Sequence, residues 1–162
     1  MNTKIFIQAS GLIAILAGIL NIFSAMPGQI PDSTLFWIRR TADISALIAL
    51  IGLFLYLRRE INVFGLIAFV VAVTGVLMLI FSFKYEQAIS VYALGVILVA
   101  IAILRTGRFP IWVPSLWISS ALIALPGFLV PNLATILSLL AAVAFGFGFV
   151  GVGYYLFLAR PA

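Results

Sequence analysis

The chain has 162 residues, 65% of them hydrophobic and 8% charged, with a net charge of +5 and a mean hydropathy of +1.33. A soluble domain is roughly 25% charged and has too little interior for so many apolar side chains, so the composition excludes a water-soluble fold and implies a polytopic membrane protein. The absence of cysteine and histidine excludes disulfides, thiolate chemistry and the usual ligands of haem, zinc and copper, so neither a metal nor a cofactor is expected.

Residues 4–25 form the first apolar run. It is long enough to span, and Ser24-Ala25-Met26 is a poor cleavage site, so it reads as a retained helix and not a removed signal peptide. Ala14 and Gly18 form a small-xxx-small pair that permits close helix approach. Pro27-Gly28 marks a turn, and Pro31-Asp32-Ser33 reads as a stop followed by a helix cap.

The second helix is expected over residues 34–58. Its purely apolar part, Ile44 to Leu57, is only about 14 residues and reaches ~21 Å against a hydrocarbon core of ~30 Å. To span, the helix has to take in Arg39, Arg40 and Asp43. Counted back from Arg58, Asp43 then lies ~8 Å below the outer edge. An ionisable residue at such a depth is a functional hypothesis by default.

Arg58-Arg59-Glu60 is a tight charged turn, followed by a third helix over 62–83. The turn Lys84-Tyr85-Glu86-Gln87 leads to a fourth over 88–104, near the minimum spanning length. Arg105-Thr106-Gly107-Arg108-Phe109-Pro110 closes it with a basic last turn, a glycine and a helix-stopping proline. A fifth helix over 112–130 carries Pro126, which implies a kink, and a sixth runs over 133–159. The expectation is an all-α bundle of six transmembrane helices forming a single domain over residues 1–162.

The positive-inside rule orients it. With the N-terminus inside, Lys4, Arg58, Arg59, Arg105, Arg108 and Arg160 fall on the inner side, and Arg39, Arg40 and Lys84 on the outer. Asp32, Asp43 and Glu86 balance the outer cations, whereas Glu60 is the sole inner acid. The whole excess of positive charge therefore faces the cytoplasm and its anionic headgroups, both termini lie inside, and the expected location is a bacterial inner (plasma) membrane. The basic residues sit in twos at helix ends and form no stripe, which argues against nucleic acid as a partner and leaves the lipid bilayer. Trp37, Trp112, Tyr56, Tyr154 and Tyr155 fit the interfacial aromatic belts.

The outer cluster is the best candidate for chemistry. Arg39 and Arg40 flank Asp43 at i−4 and i−3, on a face that Phe36, Ala46, Leu47 and Leu50 continue. Asn21, Lys84 and Glu86 are expected at the same level, where a polar, charge-balanced cavity could form. A structural ion-pair knot, with Arg39 neutralising Asp43 and the arginines snorkelling outward, accounts for the same residues.

Gly146, Gly148, Gly151 and Gly153 include a literal G-x-G-x-x-G, but inside a spanning helix it lacks the strand before it and the acidic residue after it, so it reads as a packing surface. Ser115, Ser119 and Ser120 have no histidine, and only Lys84 could serve as a base, so they read as helix glue. Asp43 and Glu86 are an unconvincing acid–base pair, because the arginines hold both ionised. No catalytic residue is assigned.

The run Leu104-Arg105-Thr106-Gly107-Arg108-Phe109-Pro110-Ile111-Trp112, followed by a Leu/Ala/Gly/Pro-rich helix and a last helix ending in Gly153-Tyr154, resembles a broad group of small uncharacterised bacterial integral membrane proteins with five or six spans. The likeness covers roughly residues 90 to 160. It implies topology and transfers no functional residues.

Two functions are compatible with these features. The first is a non-enzymatic accessory or assembly subunit, or a homo-oligomer, acting through helix contacts at its glycine-bearing faces, with other membrane subunits or itself as partner. The second is a small solute or ion transporter or sensor with an outward-facing site around Arg39, Arg40 and Asp43.

Overall fold

The computed structural model describes residues 3–26, 28, 30–81 and 84–158. Arg160, placed on the inner side above, lies outside them, as does the end of the sixth expected helix. Six α-helices follow one another: α1 (Thr3–Ser24), α2 (Asp32–Leu57), α3 (Val63–Ile80), α4 (Tyr85–Thr106), α5 (Trp112–Leu129) and α6 (Ala134–Leu158), with a short 3-10 turn, Pro131–Leu133, before the last. There is no strand among the described residues. Five helices are long and apolar enough to cross a membrane; in α5 the apolar helix Trp112–Pro126 is shorter. The protein is an all-α multi-pass membrane bundle.

The helix ends show how local chemistry sets the boundaries. Asn62 caps α3, its side chain accepting from the Gly65 amide at 3.0 Å. Gly107 closes α4 in the left-handed region (φ 65°), just after the basic last turn and before Pro110. The second helix begins earlier than expected. Pro31, not Ser33, stands at the cap position, with no side-chain cap, and its carbonyl accepts from the Leu35 amide at 2.9 Å. The fixed φ of proline suits the entry, and Asp32 in the first turn meets the positive end of the helix dipole. α4 likewise starts at Tyr85, three residues before the apolar run.

Consecutive helices pack side by side, and α1 closes the ring against α6. Small residues set the close contacts. A Cβ on Gly11 would lie 2.7 Å from the Gly153 carbonyl oxygen, and one on Gly146 2.6 Å from that of Gly18. This pairing, low number against high, makes α1 and α6 antiparallel. Gly52 of α2 meets Ser10 of α1, Gly95 of α4 meets Ala72 of α3, and Gly75 of α3 meets Tyr92 of α4. Between these seams lie Leu50, Leu53, Val76, Val96, Val99, Ile103, Trp117, Phe149 and Leu156, all fully enclosed. Lipid is as apolar as leucine, so these contacts stabilise through dispersion and fit, which depend on the backbones coming close.

The antiparallel order gathers one set of ends around Lys4, Arg58, Arg59, Glu60, Arg105 and Arg108. The other end carries Asp32, Arg39, Arg40, Asp43, Lys84 and Glu86. At the basic end Arg108 Nε donates to Glu60 Oε1 at 2.6 Å and its Nη2 forms an ion pair with the same oxygen, joining the α2–α3 and α4–α5 connections. The Arg105 guanidinium lies 4.8 Å from the Phe64 ring centroid, a second tie between α4 and α3.

Candidate functional site

Because α2 extends over 26 residues, its outer third carries the charged trio into the bundle wall. Ala46 and Leu50, one and two turns below Asp43, are buried, and Leu47 packs against the core. The lower part of the face expected to turn inward does so, with Asp43 half-buried above it, whereas Phe36 and Arg39 of the same face are exposed, because the outer turns of α2 stand beyond the packed neighbours.

The two arginines part company. Arg39 is exposed at the rim. Arg40 reaches across to α3: its Nη1 donates to the Leu79 carbonyl at 2.6 Å and also to that of Ile80, and its guanidinium lies 5.2 Å from the Phe36 ring centroid. The last carbonyls of a helix have no partner of their own, and near hydrocarbon an unsatisfied one is costly. Arg40 therefore caps α3 from a neighbouring helix, with its charge at the negative end of that helix's dipole. Nothing in the local sequence announces this role, because the acceptors lie 39 and 40 residues away.

Asp43 feels both arginines electrostatically, Arg40 more than Arg39. Its carboxylate makes neither a hydrogen bond nor an ion pair among the described residues; there the ion pair is Glu60–Arg108, at the opposite end. The self-neutralised Arg39–Asp43 knot does not form.

The other residues expected at this level do not converge on Asp43. Asn21 Nδ2 donates to the Ala17 carbonyl of its own helix at 2.9 Å, and Ser24 Oγ to that of Asn21. Lys84 precedes α4 and is exposed, as is Glu86 in its first turn. Ser115 and Ser120 bond carbonyls of their own helix, Ile111 and Trp117. Ser115 starts α5 at the basic end, so it is remote from Lys84 at the other.

On α4 lies Tyr92, on which Asp43 acts electrostatically. Tyr92 is only 7% exposed, and its hydroxyl has no hydrogen-bond partner among the described residues. The Trp117 indole nitrogen of α5, in a residue 1% exposed, is in the same state. Between them runs an aromatic chain: Tyr92 to Phe145 at 5.7 Å, Phe145 to Phe149 at 5.2 Å and Phe149 to Trp117 at 5.0 Å between centroids. Sequence reasoning passed over Tyr92. The available signal was a phenol seven residues inside a spanning helix, well below the interfacial belt where tyrosine is ordinarily placed.

The packing glycines lie within the chain itself. Gly18, Gly146 and Gly153 belong to the α1–α6 seam, with Ala14 buried along it. A Cβ on Gly148 would lie 2.6 Å from Trp117 Nε1, and one on Gly151 2.9 Å from Trp112 Cη2, so these two form the α5–α6 seam. Among the described residues no group of three or more His, Cys, Asp or Glu side chains could hold a metal ion.

Comparison with known proteins adds nothing to this geometry: no protein-family model, no curated protein and no solved structure matches the chain.

Proposed function

We propose that the chain is a non-enzymatic protein of a bacterial inner (plasma) membrane that binds a small solute or ion from the outer side at a site centred on Asp43, as a transporter or sensor. One observation carries this reading: the half-buried Asp43 carboxylate lacks a hydrogen bond or ion pair among the described residues. A charge at that depth is expensive unless it is used.

The reading as an accessory subunit or homo-oligomer loses its leading motive, because the glycine faces proposed for a partner are filled by α1, α5 and α6 of the same chain. Lateral association would need a different surface. The orientation with both termini cytoplasmic rests on the charge difference between the two ends, and the likeness to small bacterial five- or six-span proteins is in keeping with it.

The test is thermal unfolding of the full chain in lipid nanodiscs, with sodium, potassium, ammonium, glycine or betaine added singly at several pH values. A species that binds the folded state raises the midpoint by mass action. We expect at least one of these additions, or protons themselves, to raise it in the wild type, with the response lost in Asp43→Asn. A wild type indifferent to all of them, or a response that survives Asp43→Asn, overturns the proposal.

A further inference from the structure

We infer that the basic end of the bundle holds an anionic phospholipid, its headgroup phosphate bound by Arg58, Arg59 and Arg105. This site is at the opposite end from Asp43 and does not depend on the reading above.

Four arginines of this end come from two connections that are distant in sequence. Arg58 and Arg59 lead from α2 into α3, and Arg105 and Arg108 stand where α4 gives way to α5. Contacts bring them to one corner. Arg108 bonds Glu60, the residue after Arg59, and the Arg105 guanidinium lies 4.8 Å from the centroid of the Phe64 ring, at the start of α3. Beside them Tyr56 of α2 meets the buried Phe109 of the second connection, with 5.9 Å between ring centroids. The two connections are therefore fixed to each other by polar and aromatic contacts, and the arginines keep their spacing.

The corner is not neutral. Glu60 is its acid among the described residues, and Arg108 takes it. Arg58, Arg59 and Arg105 keep their charges, and all three are exposed. Arg58 and Arg59 have no hydrogen bond or ion pair among the described residues. Arg105 sets the flat face of its guanidinium on Phe64, which leaves the N–H edge open. Such an edge is a planar fork that matches a pair of phosphate oxygens.

What lies beside the charge selects a lipid. Leu104 next to Arg105, Val63 and Ile67 on one face of α3, and Ile111 and Trp112 after Arg108 are all exposed. A soluble acidic protein or a nucleic acid would cover these apolar side chains with polar surface. A phospholipid joins a phosphate to acyl chains, so one molecule meets the arginines at the helix ends and the apolar faces below them. Basic residues immediately beyond spanning helices stand at the level of the headgroups. A zwitterionic lipid brings its own cation to a corner already rich in positive charge, so an anionic one fits better.

Native mass spectrometry of the full chain, released from nanodiscs of phosphatidylcholine and phosphatidylglycerol in equal amounts, counts the lipids that stay bound. The wild type is expected to retain phosphatidylglycerol in clear excess. Arg59→Gln, at an exposed position in a connection, should reduce that excess by up to about fivefold, and Arg58→Gln/Arg59→Gln/Arg105→Gln should abolish it. Lys84→Gln, which removes a cation from the other end, should leave it unchanged. Inorganic phosphate should not displace the lipid, because the acyl chains contribute to its hold. Equal retention of the two lipids by the wild type overturns the inference, as does an excess that survives in the triple variant or is lost in Lys84→Gln. Displacement by inorganic phosphate would make this a site for free phosphate and overturns the lipid. Should the triple variant fail to fold, an excess unchanged in Arg59→Gln has the same force.

Discussion

Arg40 and Asp43 are three residues apart on one helix, yet one serves the fold and the other lacks a fixed partner among the described residues. Removing the Arg40 guanidinium leaves the Leu79 and Ile80 carbonyls without that donor, a loss of about 1–3 kcal/mol for a buried polar group. Arg40→Met is expected to lower the thermal midpoint in nanodiscs accordingly, and Arg40→Lys to recover part of the loss, since an ammonium can reach one carbonyl but has no planar fork. Asp43→Asn is expected to act in the opposite sense. It removes a half-buried charge, so stability should hold or rise by on the order of 1 kcal/mol while the binding response disappears, the usual trade between stability and function. A clear fall in midpoint for Asp43→Asn would mean that the carboxylate is structural after all. Asp43 was legible from sequence because the arithmetic of span length forced it into the membrane edge. Tyr92 was not, since a single aromatic in an apolar helix ordinarily fills space, and only the neighbouring helices reveal its unpartnered hydroxyl.

At the level of whole helices, the two glycine seams on α6 hold the bundle together on both of its sides. Gly146 and Gly153 meet α1, while Gly148 and Gly151 meet Trp117, Trp112 and Val113 of α5. Gly18→Leu forces a side chain against the backbone of Gly146, and Gly148→Leu forces one into the indole of Trp117. Overpacking costs about 1–3 kcal/mol in a core that can relax, and backbone gives way less readily than a side chain. Both variants should therefore unfold at lower temperature as single chains, in size-exclusion and thermal measurements in detergent. Dispersal of an oligomer without loss of monomer stability would show instead that these glycines serve a second protein. Helix boundaries were legible to within a few residues because the turn signals are strong: the charged turn Arg58-Arg59-Glu60 before α3, and the basic turn, Gly107 and Pro110 after α4. The Pro31 start of α2 was misplaced because two adjacent residues, Asp32 and Ser33, both look like caps, and only the backbone geometry at Pro31 distinguishes them.

For the molecule as a whole, the charge difference between its two ends predicts orientation. The chain contains no cysteine, so single cysteines can report sidedness. Arg59→Cys is expected to be shielded from an impermeant thiol reagent in intact cells, and Asn132→Cys to be labelled; the reverse pattern would invert the topology. The clasp of Glu60 and Arg108 at the basic end is exposed, so it should add little to stability and fade with salt, as a thermal midpoint of Glu60→Gln unchanged from the wild type at high ionic strength would show.

The extent of the spanning segments, the apolar class of the chain and the asymmetry of its ends are properties of composition along the chain. Each segment must satisfy its own backbone in hydrocarbon, which makes these features readable one helix at a time. Which faces meet is a different matter. The helices are apolar on every side, so their periodicity says little about what turns inward, and the contacts depend on residues far apart in sequence, such as Gly18 with Gly146 and Arg40 with Leu79. Only the tertiary structure turned the glycine faces into internal seams and brought the Tyr92 hydroxyl under the influence of Asp43.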